Sequence, residues 1–307
     1  MLHEYMQQVE RFLRDQNQKW INPDDLISYC NRARREVAMR TQSIRRIPPI
    51  SGPITAIDVT ASGNGYTNPT VVISGPDSPG GKILNPGGAQ ATALAQVVGN
   101  QIAGVQVTYG GDGYFQPTAT ISDPTGFGAT LTVTVPGINV LRPFQEEYAF
   151  ADIPLGIFPG VESVFAIRGI SSLFNNQRYS WIYKSFSEYQ AFIRRYTQQY
   201  FYTPAVFTQL GQGVGGSFLC YPIAAQVYQF EPDCSCLPSP LIDDNSPEAI
   251  PAPWTEVIPY FAAHLAYLEL QNMNAARMYF DLYEGMTHRY SAYARIVRAP
   301  SVYPRRY

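Results

Sequence analysis

The chain has 307 residues and a formal net charge of −2; 15% of its residues are charged and 45% are hydrophobic. The near-neutral charge excludes a bulk attraction to nucleic acid or to an anionic membrane, and the hydrophobic content excludes a largely disordered chain. No apolar run approaches the roughly 18 residues that a membrane-spanning helix needs, and the first residues lack the apolar core of a signal peptide, so we expect neither.

The N-terminal part of the chain predicts two helices. The apolar face of the first is marked at helical spacing by Leu2, Met6, Val9 and Leu13. Residues 22–25, Asn-Pro-Asp-Asp, form a helix start, with an N-cap, a proline at the first helical position and acids against the helix dipole. The apolar face of the second helix carries Leu26, Cys30, Ala33 and Val37. The arginines that lie mainly off this face are Arg32, Arg34, Arg35 and Arg40. They predict a solvated basic surface or, alternatively, a contact with an acidic partner or a phosphate backbone.

Residues 54–76 and 102–124 are two copies of one sequence unit. The first reads ITAIDVTASGNGYTNPTVVISGP and the second reads IAGVQVTYGGDGYFQPTATISDP, so that the pattern G-x-G-Y-x-x-P recurs 48 positions later. Apolar alternation predicts strands in each copy, and the glycines before each tyrosine predict a tight turn or bulge. Because one copy alone would bury little apolar surface, we predict that both form one β domain over residues 51–137.

A second β-rich region is predicted over residues 141–238, and a proline-rich acidic linker follows over residues 239–253. Within the β-rich region, the glycines at 211, 213 and 216 match the G-x-G-x-x-G pattern of dinucleotide sites. That pattern requires a helix after the glycines, whereas a strand follows here. The glycines therefore predict a hairpin turn.

The C-terminal part predicts a helical hairpin. A third helix begins near Trp254, and a break at residues 272–274 makes Asn274 the N-cap of a last helix over residues 275–298. The apolar seam of this last helix consists of Tyr279, Tyr283, Met286, Tyr290, Tyr293 and Val297. Tyrosine combines a large contact area with a polar tip, so the seam is predicted to meet another protein as well as its own core. A core helix with a frayed, basic end is the alternative interpretation.

The sequence contains no recognisable catalytic or cofactor-binding motif, so we expect no enzyme activity, no cofactor and no metal. The H-E-x-x-H, G-x-S-x-G and P-loop patterns are absent. The pair Cys234 and Cys236 is too closely spaced for a normal zinc site, and no second pair lies nearby.

Three segments of the chain resemble head-to-tail adaptor (connector) proteins of tailed bacteriophages. They are residues 9–41, VERFLRDQNQKWINPDDLISYCNRARREVAMRT; residues 213–234, GVGGSFLCYPIAAQVYQFEPDC; and residues 248–279, EAIPAPWTEVIPYFAAHLAYLELQNMNAARMY. The duplicated G-x-G-Y-x-x-P units also resemble repeats found in phage virion proteins. They are an addition to the simplest adaptor plan.

The order of the elements, together with this resemblance, predicts an α+β fold. The expected architecture is a helical bundle formed by the N- and C-terminal helix pairs, with two inserted β-rich regions. The expected domains are a bundle of residues 1–47 and 248–298, a duplicated β insertion at 51–137, a β-rich domain facing the tail at 141–238, a linker at 239–253 and a docking tail at 299–307.

The resemblance implies a virion structural protein at the head–tail junction, made in the host cytoplasm. Roughly a dozen copies would form a ring between the portal and the tail tube or nozzle, each with two different faces toward its ring neighbours. Double-stranded DNA would pass through without sequence-specific binding, and no membrane would be involved. The residues expected to dock on the portal are Arg289, Tyr293, Arg295, Arg298, Tyr303, Arg305, Arg306 and Tyr307. The candidates for lining the DNA channel are Asp243, Asp244 and Glu248.

A phage fibre or a carbohydrate-binding structural module is the alternative function. In that case Tyr66 and Tyr114 of the duplicated units would lie on the surface and stack on a sugar or on a neighbouring fibre. The simpler interpretation is that both tyrosines pack against their own Pro69 and Pro117. A lytic enzyme is a third possibility, although no motif favours it.

Overall fold

The computed structural model of the protein describes residues 1–15, 20–78, 87–174, 177–193 and 204–296. The chain divides into two compact units. The helical unit consists of Met1–Arg46, Phe158–Ala166 and Ser235–Tyr307. The β unit consists of Ile47–Ile157 and Ile167–Cys234.

Long helices form near both ends of the chain, and strands form most of the sequence between them. The helices are α1 (Leu2–Leu13), α2 (Pro23–Thr41), the short α3 (Phe186–Glu188), α4 (Ile258–Glu269) and α5 (Met273–Ile296). The first strands are β1 (Arg45–Arg46), β2 (Ala56–Asn64), β3 (Thr70–Ile73), β4 (Thr92–Val98), β5 (Gln101–Tyr109), β6 (Ala119–Ser122) and β7 (Phe127–Thr134). The later strands are β8 (Val140–Leu141), β9 (Glu147–Ala149), β10 (Val161–Phe174), β11 (Gln177–Ser180), β12 (Ile182–Tyr183), β13 (Val206–Leu210), β14 (Ser217–Tyr221) and β15 (Tyr228–Pro238).

Helices α1, α2, α4 and α5 pack against one another in the helical unit. The predicted start of α2 is confirmed, because the Asn22 side chain accepts a hydrogen bond from the Asp24 amide and a proline follows the cap. The predicted apolar face of α2 is buried. In α1, Tyr5 and not Met6 joins the buried face. The predicted pairing of the last two helices is confirmed, since α4 packs on α5 across a short break.

The predicted fold class is wrong. The described part of the chain is mostly β-sheet and forms four sheets, and it is not a helical bundle with two inserted β-rich regions. The reason is that the helical unit also contains strand residues, namely residues 161–166 of β10 and residues 235–238 of β15. There the Cys236 amide donates a hydrogen bond to the Ile44 carbonyl, next to β1. Strands and helices thus build one unit together, and helical periodicity at the chain ends could not reveal this.

The second β-rich region contributes two sheets. Their orders are β1-β15-β10-β11, with β8 also paired to β15, and β12-β13-β14-β9. Aromatic rings fill the core of the β unit: the Phe218 ring lies 5.2 Å from that of Tyr148 and 5.5 Å from that of Phe230. The hairpin predicted at the glycine-rich turn is confirmed, because β13 and β14 on either side of it pair antiparallel.

The two copies of the duplicated unit interlock. Their main sheet has the order β4-β5-β2-β7 with antiparallel neighbours, and β3 pairs with β6. The last strand of each copy therefore pairs with the first strand of the other copy. Equivalent residues lie opposite each other, Ile57 with Val105 and Val72 with Thr120. This pairing gives the β2–β7 segment a local twofold axis, and we refer to residues 52–135 as the β module.

Two aspartates cross between the copies in the same reciprocal way. The carboxylate of Asp123 accepts hydrogen bonds from the amides of residues 67–68, at 2.9 and 2.8 Å. The carboxylate of Asp77 accepts them from the amides of residues 115–116, at 2.7 Å each. These two amide pairs are 48 positions apart in the sequence. Each copy therefore holds the turn after the other copy's tyrosine.

We expect acidification to weaken the β module by protonating Asp123. Hydrogen bonds from the amide and hydroxyl of Thr125, and then from residues 67–68, lower the pKa of Asp123 well below its ordinary value of 3.8. Because the folded pKa is depressed, this stabilisation is present in full above the pKa of the unfolded chain and is lost as the pH falls through the folded value. Asp123→Asn should lower the melting temperature at neutral pH, and the difference from wild type should shrink in strong acid.

The matched control for this experiment is Asp58→Asn, because Asp58 is an exposed aspartate of the same module, on β2. It should leave the melting temperature unchanged. A deficit of Asp123→Asn that stays constant from neutral to strongly acid pH would contradict the prediction.

Candidate docking surface

Helix α5 begins at an asparagine cap. The Asn272 side chain accepts a hydrogen bond from the Ala275 amide at 3.2 Å, and the helix starts at Met273. The predicted cap, Asn274, is therefore wrong by two residues. Both asparagines satisfy the sequence preference for a cap, and the backbone conformation determines which of them precedes the first helical residue.

Three of the four tyrosines in the predicted seam of α5 contact other residues of the helical unit, whereas the fourth, Tyr293, is 58% exposed. Tyr283 is fully buried, and the Tyr279 ring stacks on that of Tyr267 at 5.4 Å. The Tyr279 hydroxyl donates to the Phe12 carbonyl at 3.4 Å, and the Tyr290 hydroxyl donates to the Glu256 carboxylate. Tyr283 is therefore a core residue, and Tyr279 and Tyr290 are half-buried with their hydroxyls hydrogen-bonded. Their contacts agree with the alternative interpretation of the seam.

An adjoining face of α5, which includes Tyr293 of the predicted seam, is exposed. Met278, Leu282 and Tyr293 are 50%, 44% and 58% exposed. Together with the exposed Gly285 and Arg289 they recur at steps of four and three residues, which places all five on one side of the helix. Methionine, tyrosine and arginine are enriched in protein–protein interfaces. We call these five residues the outer stripe.

The residues predicted to dock on the portal fall into three groups. Arg289 and Tyr293 are exposed members of the outer stripe. Arg295 lies within α5. The others lie outside the described residues: Arg298, Tyr303, Arg305, Arg306 and Tyr307.

The acids predicted to line a channel lie in different environments. The Asp243 carboxylate is exposed and accepts a hydrogen bond from the Ser246 amide at 2.8 Å. The Asp244 carboxylate is exposed and accepts one from the His3 amide at 2.8 Å, which lowers the pKa of Asp244. Glu248 is buried, so its carboxylate cannot line a channel in this structure. The prediction for Glu248 is wrong, because its carboxylate forms an ion pair inside the helical unit.

The partner of Glu248 is Arg34 of α2, and the two form a buried, bidentate ion pair. Their side chains are 6% and 1% exposed, and the two nitrogen–oxygen distances are 2.9 and 2.8 Å. The remaining guanidinium nitrogen donates to the Ser239 carbonyl at 2.7 Å and to the Asn31 side chain at 3.1 Å. Tyr5 donates its hydroxyl to Glu248 at 3.2 Å. Burial, followed by the charge of Glu248, raises the pKa of Tyr5 far above its ordinary value. This network ties residues 239–248 to α2.

Sequence reasoning missed Arg34 because the arginines of α2 were predicted to lie mainly off its apolar face. A signal was available. Arg34 follows Cys30 by one helical turn and stands next to Ala33, and both of these neighbours are buried. A charged side chain beside two apolar-face positions requires a buried partner. The acidic linker supplies that partner about 200 residues later.

Tyr66 and Tyr114 are not surface residues, so their prediction as repeat-surface candidates is wrong. They are 2% and 0% exposed. The Tyr114 hydroxyl accepts a hydrogen bond from the Ala91 amide at 2.8 Å, and the Tyr66 hydroxyl accepts one from the Ala129 amide at 3.0 Å, each in the other copy. A glycine three positions before each tyrosine leaves room for the ring. The carbohydrate-binding alternative thereby loses the residues on which it depended.

The cysteines are packing residues. Cys30, Cys220, Cys234 and Cys236 are all buried, and none of them forms a disulfide bond. Burial raises the pKa of Cys30 and of Cys220 to about 12, which keeps both thiols protonated and weakly nucleophilic. Across the described ranges, no group of three or more His, Cys, Asp and Glu side chains is placed to hold a metal ion.

Comparisons with known proteins assign no family. No protein-family model matches the sequence, and no curated protein gives a significant match. Within the part of the chain that the structure describes, no helix has both the length and the apolar character needed to cross a membrane. Function is therefore inferred from the surfaces of the molecule itself.

Proposed function

We propose that this chain is a virion structural protein, a head-to-tail adaptor that forms a ring of roughly a dozen copies between the portal and the tail of a tailed bacteriophage. The observation that carries the proposal is the outer stripe of α5. This helix has one face in the core of the helical unit and a second, exposed face that carries Met278, Leu282 and Tyr293. Such a face on a 24-residue helix suits docking on another protein.

The sequence after the stripe supports the same role. Arg295, Arg298, Arg305 and Arg306 follow within eighteen positions of Arg289, with no acidic residue among them. Arginine makes strong bidentate contacts with carboxylates, and tyrosine fills interface grooves. We propose that the outer stripe and residues 297–307 together bind an acidic surface of the portal ring.

The proposed role of the acidic linker is to repel the DNA that passes through the ring. Asp243 and Asp244 are exposed carboxylates, and like charge would keep passing DNA from adhering to the ring. The opposite end of the ring would receive the tail tube or nozzle protein. The proposed role is structural, with no catalytic step and no cofactor.

The first test is binding to the portal ring encoded by the same genome. Mass photometry should show the ring gaining roughly a dozen copies of this chain. Leu282→Asp places a charge in the middle of the outer stripe and should weaken this binding at least about tenfold, as expected for an interface residue worth more than about 1.4 kcal/mol.

The matched control is Ile242→Asp, because Ile242 is 81% exposed in the helical unit but lies outside α5. It should bind the portal ring like wild type. A wild-type chain that adds no mass to the portal ring would contradict the adaptor proposal. Equal binding by Leu282→Asp and Ile242→Asp would remove the outer stripe from it.

A further inference from the structure

The two edge strands of the β module carry none of the usual protection against pairing with another chain. The main sheet ends at β4 on one side and at β7 on the other, and no described strand pairs with either outer edge. β4 reads TALAQVV and β7 reads FGATLTVT, seven and eight residues without a charge or a proline. Natural edge strands are usually kept apart by lysines, prolines, bulges or a very short length.

The irregularities of this sheet lie in its interior strands. The register shift between β2 and β7 leaves Thr60 of β2 as the extra residue. One of the shifts between β4 and β5 leaves Thr108 of β5 as the equivalent extra residue, 48 positions later. Both threonine hydroxyls bond across to the edge strands, to Thr130 at 2.6 Å and to Thr92 at 2.7 Å. The bulges therefore leave both edge strands regular.

The side chains of both edges favour continuation of the sheet. On the core side, β7 presents Leu131 and Val133, and β4 presents Ala93 and Ala95, all half-buried. On the outer side, the residues are uncharged and exposed: Thr130, Thr132 and Thr134 on β7, and Thr92, Leu94, Gln96 and Val98 on β4. Side chains alternate between faces with a period of two, so one register matches core side to core side and outer side to outer side.

We propose that β7 of one copy pairs with β4 of a second copy of this chain. The sheet contains three antiparallel steps from β4 to β7, so these two strands run in opposite directions. When β7 of one copy lies beside β4 of the next, the pairing is antiparallel, as it is inside the module. Every copy supplies one edge of each kind, which makes the contact heterologous and repeatable from copy to copy.

The register that aligns the strand ends defines the contacts. It places Thr132 opposite Leu94 and Thr130 opposite Gln96, and it continues the core face with Leu131 beside Ala95. This self-association needs no portal, so the inference does not rest on the proposed function. A negative result for strand pairing would not contradict the adaptor proposal, and a negative result for portal binding would not contradict strand pairing.

Disulfide trapping tests the pairing directly in the full-length protein. A Leu94→Cys chain is mixed with a Thr132→Cys chain under mild oxidation, because opposed residues of an antiparallel pair bring Cβ atoms within disulfide reach. The native cysteines are buried and give little background. We expect a several-fold excess of mixed dimer over the control mixture of Asp58→Cys with Gln106→Cys, which are exposed but lie on the interior strands β2 and β5.

A charge exchange supplies the second readout. Gln96→Lys combined with Thr130→Lys puts like charges across the junction and should abolish self-association in a sedimentation concentration series. Gln96→Lys combined with Thr130→Glu should restore it, and unchanged melting curves establish that both variants fold. The proposal is overturned if wild type stays monomeric in sedimentation and the mixture of Leu94→Cys with Thr132→Cys gives no excess of mixed dimer. It is also overturned if each single-cysteine chain crosslinks with itself, which would indicate that identical strands pair.

Discussion

Glu248→Ala should destabilise the helical unit by about 3–5 kcal/mol, the usual result of removing one partner from a buried ion pair. Arg34 would then be a buried positive charge, with only a carbonyl and an amide side chain to compensate it. Tyr5 would lose the acceptor of its hydroxyl as well. Urea unfolding followed by circular dichroism measures the change, provided that the slope of the transition stays constant.

The neighbouring arginine provides a close control. Arg35 forms an ion pair with Glu162 at 2.6 Å in the same unit, but these side chains are 50% and 38% exposed. Glu162→Ala should therefore cost only about 0–1 kcal/mol. The double variant Arg34→Met with Glu248→Leu should recover most of the loss, because two apolar side chains replace the pair without leaving a buried charge.

The Arg34–Glu248 interpretation fails if Glu248→Ala costs no more than Glu162→Ala. It also fails if the double variant is as unstable as the single one, since the loss would then reflect packing and not charge.

Gly111→Ala should destabilise the β module by about 2–5 kcal/mol, from backbone strain together with overpacking. Gly111 has a φ of +65°, and a Cβ at this position would lie 2.3 Å from the Ala89 carbonyl oxygen and 2.8 Å from the Tyr114 ring. The strand backbone cannot move away without breaking the hydrogen bond between the Ala91 amide and Tyr114. Thermal unfolding, monitored by the near-ultraviolet signal of the aromatic residues, reports the loss.

Gly99→Ala separates the two contributions. Gly99 has a φ of +60°, and a Cβ at this position would have no atom within 4 Å, so only the strain of about 1–2 kcal/mol should remain. Gly63→Ala, at the equivalent position of the first copy, should behave like Gly111→Ala, because its Cβ would lie 2.5 Å from the Phe127 carbonyl oxygen. Unequal effects at positions 63 and 111 would contradict the reciprocal packing of the two copies.

Local sequence patterns predicted local structure well. The asparagine cap and apolar face of α2, the turn between β13 and β14, and the pairing of α4 with α5 all depend on residues within a few turns of one another. Each of them was predictable because helix starts, helical periodicity and turn chemistry depend on neighbouring residues. The duplication was visible because two segments share glycines, a tyrosine and a proline at a fixed offset.

Long-range partners were not predictable in this way. Glu248 looks like any linker acid until the fold brings it to Arg34, 214 positions away. The tyrosines of the duplicated units look like exposed binding residues until the other copy supplies Ala91 and Ala129 as donors. In both cases a polar group became a core residue because a distant segment satisfied its hydrogen bonds.

Sequence patterns alone predicted the positions of the helices, the duplication and the basic, tyrosine-rich C-terminal segment, because each depends on residues that are close together or repeated. The full fold was needed to show that parts of β10 and β15 belong to the helical unit, that the first strand of each copy pairs with the last strand of the other, and that α5 buries Tyr283 and exposes the outer stripe. These features depend on which apolar face finds a partner, and burial is a property of the whole fold.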